Sequence, residues 1–298
     1  MKIKNLFASS LLALVLFASC SKSDNGGGGT PPPTPTPVAA ATTLNVAYGA
    51  DPLQKMDIYL PANRTVTTTK VIIMVHGGSW IGGDKNDFNV IIDSLKKRLP
   101  DYAIFNLNYR LAALPATNVF PAQELDVKAA VEFIYSNRTA NLVSDKFVMM
   151  GASAGGHLAL LEAYKYQTPV KIKAVIDFFG PTNMATMYSD YASNPPGQFG
   201  IFALMGNTTP TANPIFYAQS SPITFATTAT ACPTIILQGG TDVVVYPTQS
   251  STLRDKLTLA TVVNQYVYYP MLGHGPWDAA TNTDAMNKIQ PFLAANVQ

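Results

Sequence analysis

The 298-residue chain holds few of the residues that chemistry usually leans on. It has two cysteines, Cys20 and Cys232, which leaves no room for a disulfide framework, and no cysteine–histidine spacing suits a metal ion. Cys232 precedes an apolar, strand-like run and reads as a small buried hydrophobe. Three histidines leave a short choice of general base. Charged residues make up 13% of the chain and the formal net charge is +2, a balance that argues against nucleic acid and against electrostatic adhesion to a membrane. There is no internal repeat. Hydrophobic residues reach 47%, yet only one stretch, at the start, is long and apolar enough to approach a bilayer. The rest fits the core of one large domain.

That first stretch, M-K-I-K-N-L-F-A-S-S-L-L-A-L-V-L-F-A-S-C, has two lysines, an apolar run and small residues at its end. It is too short to span comfortably and is expected to be a signal peptide over residues 1–19. Phe17-Ala18-Ser19 before Cys20 resembles the lipobox of bacterial lipoproteins, with Phe17 where an aliphatic residue is more usual. The resemblance implies a lipidated Cys20 as the mature N-terminus, and cleavage there removes Lys2 and Lys4. Residues 20–41 then form a tether: glycines give slack, and the run P-P-P-T-P-T-P gives a stiffer polyproline spacer. The polar residues after Cys20 resemble the surface-export signals of Bacteroidetes-type lipoproteins. The expected location is the outer membrane of a Gram-negative bacterium, at its periplasmic face or the cell surface, with membrane attachment through the lipid alone.

From residue 42 to residue 298 the pattern is that of a folded domain. Near-continuous apolar runs such as V-I-I-M-V and T-I-I-L suit strands buried on both faces of a parallel sheet. Strands are expected at Thr42–Tyr48, Met56–Leu60, Val71–Val75, Ala103–Asn108, Phe147–Met150, Ala174–Phe178, Thr234–Leu237 and Asn264–Tyr269. Helices are expected at Asp87–Leu99, Pro121–Ser136, Ala154–Tyr166, Pro247–Leu259 and Thr283–Ala294. The alternation predicts an α/β sandwich, with an antiparallel edge where two strands follow each other at the start. The segment from Thr182 to Thr230 breaks the rhythm: N-P-P-G and N-T-T-P-T-A-N-P read as breakers. It is expected to be an irregular insertion after the sixth strand, over one end of the sheet, with no strongly apolar lid helix.

G-A-S-A-G, residues 151–155, fits G-x-S-x-G between a strand and a helix, which places Ser153 on a sharp turn with its hydroxyl free. Such a serine needs a base. His76 lies far upstream in V-H-G-G-S-W, and His157, one turn along the helix, points along it and reads as structural. His274, in the glycine- and proline-flanked loop after the last strand, is left as the base. For the acid that orients it, Asp242 ends T-I-I-L-Q-G-G-T-D at the carboxyl edge of the sheet. Its competitor Asp177, inside the apolar run A-V-I-D-F-F, better suits a buried structural carboxylate. The glycine pair Gly77-Gly78 after V-I-I-M-V-H can bring backbone N–H groups close to a ligand.

Together D-I-Y-L-P, V-H-G-G-S-W, N-Y-R-L-A, F-P-A-Q-E-L-D-V-K-A-A-V-E-F-I and G-A-S-A-G-G-H-L-A resemble the α/β-hydrolase superfamily. Within it, they resemble the HGG-type carboxylesterases related to hormone-sensitive lipase and to bacterial feruloyl and acetyl-xylan esterases. The resemblance implies a mostly parallel eight-stranded sheet with helices on both faces. It implies Ser153, Asp242 and His274 as the triad, with the N–H groups of Gly77, Gly78 and Ala154 holding an oxyanion, and neither cofactor nor metal. Ser79 stands where many relatives carry a third glycine, which puts the preference for acyl or alcohol group in question. The expected activity is hydrolysis of short-chain or aromatic acyl esters, small molecules or acylated plant glycans. The competing readings are a peptidase on the same fold, like the prolyl oligopeptidase relatives, and a non-catalytic glycan-binding surface lipoprotein.

Overall fold

In a computed structural model the described residues are 37–113 and 115–298; residues 1–36, with the expected signal peptide, Cys20 and most of the tether, lie outside them. The strands, in chain order, are β1 (Ala41–Ala47), β2 (Lys55–Leu60), β3 (Lys70–Val75), β4 (Tyr102–Leu107), β5 (Phe147–Ala152), β6 (Ala174–Phe178), β7 (Thr234–Gly239) and β8 (Asn264–Tyr269). The helices are α1 (Asn89–Arg98), α2 (Ala122–Ser136), α3 (Ala154–Lys165), α4 (Met184–Asp190), α5 (Pro195–Leu204), α6 (Pro214–Gln219), α7 (Pro247–Leu259) and α8 (Ala279–Asn296). Among the described residues, no helix is long and apolar enough to cross a membrane.

The strands form one sheet in the order β1-β2-β4-β3-β5-β6-β7-β8. β2 runs antiparallel to both β1 and β4, and the remaining pairs are parallel. This is the eight-stranded, mostly parallel sheet expected from the sequence, with its antiparallel edge. The continuous apolar runs have a simple cause: both faces are covered, so every position of β3 from Val71 to Val75 is buried. Side chains alternate between two cores. Val71, Ile73 and Val75 join Phe147, Met149, Leu158 and Leu161 on the face of α2, α3 and α7. Ile72 and Met74 join Val148, Met150, Leu95, Ile289 and Leu293 on the face of α1 and α8. Cys232 is buried in the first core, which pushes its thiol up to about 12 and leaves it inert.

The segment from Thr182 to Thr230, expected to be irregular, is instead largely helical. Both breakers hold helix starts: Asn194 and Asn213 cap α5 and α6, each with a proline in the first turn, and Asn183 caps α4. The start of the insertion is tied to α7 by Gln249, whose Oε1 accepts from the N–H groups of Thr182 (3.0 Å) and Asn183 (2.8 Å). α8 likewise begins at Ala279, a turn earlier than Thr283, because the Asp278 side chain accepts from Thr281 N–H at 2.7 Å.

Buried charge in this charge-poor chain is used to hold loops. Lys85 Nζ donates to Asp57 Oδ2 at 2.8 Å with both side chains almost wholly covered, fixing the loop after β3 to β2. Arg110, in N-Y-R-L-A, donates to Asp126 of α2 at 2.6 Å, and Asp126 also accepts from Gln54 at 2.7 Å. Asp57→Ala strands a buried ammonium, which costs about 3 kcal/mol or more. A urea melt of the variant is expected to show a much lower midpoint at unchanged slope; an unchanged midpoint contradicts this role.

Candidate active site

The elbow is built from small residues because nothing larger fits. A methyl group on Gly155 would overlap the carbonyl oxygens of Val75 and His76, so α3 packs directly on the end of β3. The turn between β5 and α3 places Ser153 at φ 54° and ψ −124°, a conformation that costs a non-glycine residue about 1–3 kcal/mol. It is held by the backbone: Ser153 N–H donates to Phe178 O at 2.8 Å, and Ser153 O accepts from His157 N–H at 3.1 Å.

The structure brings Ser153, His274 and Asp242 into one hydrogen-bonded chain. Asp242 can only accept, so His274 Nδ1–H donates to Asp242 Oδ2 at 2.7 Å. Nε2 is then left to accept, and Ser153 Oγ–H donates to it at 2.9 Å. Asp242 is buried, and its Oδ1 accepts from the N–H groups of Val244 and Val245, each at 2.9 Å. Gln238 Nε2, from the end of β7, adds a bond to Oδ2 at 3.2 Å, and Ser250 Oγ–H holds Gln238 Oε1 at 2.7 Å. The sequence marks Gln238 only as a polar side chain near the end of an otherwise apolar strand. Phe179 packs against the imidazole, ring centroids 4.6 Å apart.

Gly77 lies against the nucleophile: a Cβ there would stand 2.9 Å from Ala152 O and 3.3 Å from Ser153 Cβ. Among the described residues, the N–H groups of Gly77, Gly78 and Ala154 have no protein acceptor, and that of Ala154 opens a helix. Three free donors beside a serine hydroxyl can hold a developing oxyanion. Their loop is fixed from two sides. His76 stacks on Tyr109 at 4.3 Å, donates from Nδ1 to Gly77 O at 2.7 Å, and is kept neutral by burial, which lowers its basicity. Further along, Ser79 and Trp80 both have positive φ, and Trp80 Nε1–H donates to His157 Nδ1 at 3.2 Å.

The other candidates of the sequence stand apart. His157 is fully buried and donates from Nε2 to the carbonyl of Ser220 at 2.8 Å, so it links the insertion to the loop of Trp80. Asp177, also buried, accepts from Gly180 N–H at 3.0 Å, and burial pushes its carboxyl up to about 7. Among the described residues, no group of three or more His, Cys, Asp or Glu side chains is placed to hold a metal ion.

Two cavities open on Ser153. The larger, about 540 Å³, is lined by Gly77, Gly78, His274, Phe178, Phe179 and Trp277. The smaller, about 250 Å³, lies under α4 and α5 against Trp80, Met187, Ile201 and Leu204. Ser79 and Val244 line both. No apolar lid helix was expected, but α5, P-P-G-Q-F-G-I-F-A-L, is one: Ile201 and Leu204 face inward and Phe199 is exposed. The prolines at its start disguised it.

The buried His157 makes stability depend on pH. Burial lowers its pKa from 6.5 to about 4. Between those values the unfolded chain binds a proton that the folded chain refuses, so stability contributed above 6.5 is lost as pH falls toward 4, by on the order of 3 kcal/mol. His157→Gln is expected to flatten that part of a pH–stability profile; an unchanged slope contradicts the assignment.

The chain is similar to several known proteins. The chain is 24% identical over 245 residues to Esterase LipC of Mycobacterium tuberculosis, a match covering 77% of this chain and 59% of that protein. It is 27% identical over 237 residues to dipeptidyl peptidase family member 6 of Caenorhabditis elegans, covering 75% of this chain and 30% of that protein. The chain thus spans less than two thirds of the length of either curated relative. Among solved structures, a truncated carbohydrate esterase from gut microbiota superposes with a TM-score of 0.73 at 25% identity, over 87% of this chain and 96% of that one. A bifunctional GH43-CE protein of Bacteroides eggerthii gives 0.71 at 25% identity, over 86% and 35%. The two solved structures share the α/β-hydrolase fold, and the BD-FAE family model matches residues 56–257, the stretch from β2 through the elbow to α7, so that the chain belongs to the BD-FAE family.

Proposed function

We propose that the protein is a serine carboxylesterase acting on short-chain or aromatic acyl esters, with acetyl or feruloyl groups of plant polysaccharides as its substrates. The observation that carries the reading is the hydrogen-bonded chain from Ser153 Oγ through His274 to Asp242, opening on free backbone donors and two cavities. His274 Nε2 takes the proton as Ser153 Oγ attacks the ester carbonyl. The N–H groups of Gly77, Gly78 and Ala154 hold the oxyanion, and Asp242 stabilises the imidazolium. When the tetrahedral intermediate collapses, the bond to the alcohol oxygen breaks and His274 returns the proton to that oxygen. Water, deprotonated by the same base, then releases the acyl group from Ser153.

The carbohydrate esterase and the GH43-CE protein among the similar structures support a glycan-linked substrate. So does the expected export: a lipid on Cys20 and a Gly/Pro/Thr-rich tether would hold the domain off an outer membrane, within reach of polymers. The dipeptidyl peptidase relative keeps amide cleavage as the competing reading.

Ser153→Ala is expected to lower hydrolysis of p-nitrophenyl acetate by roughly 10⁴-fold or more while the fold is kept. Equal rates would sink the assignment. Offered aryl esters and aminoacyl arylamides together, the wild-type protein is expected to cleave the esters; preferred amide cleavage selects the peptidase. Acetate or ferulate released from acylated xylan identifies the acyl group. Cys20→Ser is expected to move the chain from the membrane fraction to the soluble one, and unchanged partitioning contradicts the lipid anchor.

A further inference from the structure

Two cavities meet at Ser153, and only one contains His274. We propose that the smaller cavity, under α4 and α5, receives the acyl group of the substrate, and that Gly200 sets how long that group can be. The proposal rests on the esterase reading and deepens it.

The tetrahedral carbon carries four substituents. One is Ser153 Oγ. The second, the oxyanion, must face the N–H groups of Gly77 and Gly78, which line the larger cavity and not the smaller. The third, the alcohol oxygen, must take its proton from His274 Nε2 as it leaves, and His274 also lines only the larger cavity. The remaining substituent, the acyl chain, is left with the direction of the smaller cavity. Its walls agree with a hydrocarbon occupant: Trp80, Met187, Ile201 and Leu204 are apolar and buried. The alcohol falls among Phe179 and Trp277.

Within the smaller cavity one wall position is vacant. Gly200 lies in α5 and lines the cavity, and a Cβ built on it would meet no atom within 4 Å. At Gly197, a turn earlier, a Cβ would stand 3.0 Å from the Asn194 amide nitrogen. A side chain at 200 therefore grows into empty space and subtracts from the cavity without displacing protein. It also replaces a helical glycine with a better helix former, so the variant keeps its fold.

Deacylation isolates the acyl side. Once the alcohol has left, water gives a proton to His274 Nε2 and its oxygen bonds to the acyl carbon. The carbon–Oγ bond then breaks, and Ser153 Oγ takes the proton back. The acyl-enzyme carries no trace of the alcohol, so a change confined to the smaller cavity acts on acyl length and is blind to the leaving group.

The test uses the full chain with two ester series: p-nitrophenyl acetate, butyrate and hexanoate, then ethyl and benzyl acetate. Gly200→Leu is expected to lower both kcat and kcat/KM for hexanoate by roughly tenfold or more relative to acetate. The benzyl-to-ethyl ratio is expected to stay at its wild-type value, and Gly200→Ala is expected to give a hexanoate-to-acetate ratio between those of the wild type and Gly200→Leu. Val90→Trp, on the rim of the larger cavity, is expected to move the benzyl-to-ethyl ratio and leave the hexanoate-to-acetate ratio unchanged. The proposal is overturned if Gly200→Leu leaves the hexanoate-to-acetate ratio unchanged or shifts the alcohol ratio, or if the wild type itself cleaves acetate alone. A wild type that cleaves none of these esters overturns the esterase reading and this proposal with it.

Discussion

The close approach of α3 to the end of β3, over Gly155, fixes where the turn at Ser153 can sit. A helix held that near a central strand forces the intervening residue into a conformation that glycine alone adopts freely, and the chain spends a serine there. The strain is offset by packing on both sides of the sheet, where β3 and β5 are buried along nearly their whole length. Because the turn is over-determined, Oγ is presented in one place, and the loops carrying His274 and the glycine pair can be built around a fixed point.

Those loops are held by polar contacts more than by hydrophobic ones. The glycine loop is clamped at its start by the stacked His76–Tyr109 pair, in its middle by Trp80 on His157, and at its end by Lys85 on Asp57. The acid loop is wound around Asp242 by two backbone donors and Gln238. Two of the three histidines thus serve as neutral hydrogen-bonding parts of the scaffold, which a count of histidines would not reveal. The contact of His157 with Ser220 also joins the glycine loop to the insertion, so the wall of the smaller cavity and the free N–H groups of Gly77 and Gly78 share one support.

The sequence disclosed the sheet because its strands are buried on both faces and their flanking helices alternate with them. It disclosed the serine, histidine and aspartate because a strand–turn–helix made of glycine and alanine has few other uses, and because the remaining histidines sat in the wrong places. It did not disclose α4, α5 and α6. Asparagine followed by proline marks a chain break and a helix start equally well, and only packing of α5 and α6 against α4 decides between them. The roles of Asp57, Arg110 and Asp126 were hidden for a related reason: the partners of these buried ion pairs lie far apart in the chain. Their motifs were visible as resemblance, but their work is to hold loops.

The proposed ester chemistry depends on Ser153 being a nucleophile activated by His274, beyond its place in a strained turn. Treatment of the full chain with a fluorophosphonate, followed by peptide mass spectrometry, measures this directly. A single adduct on Ser153, lost when His274 is replaced by alanine, is the predicted result. An unmodified Ser153, or equal labelling without His274, would contradict the central claim.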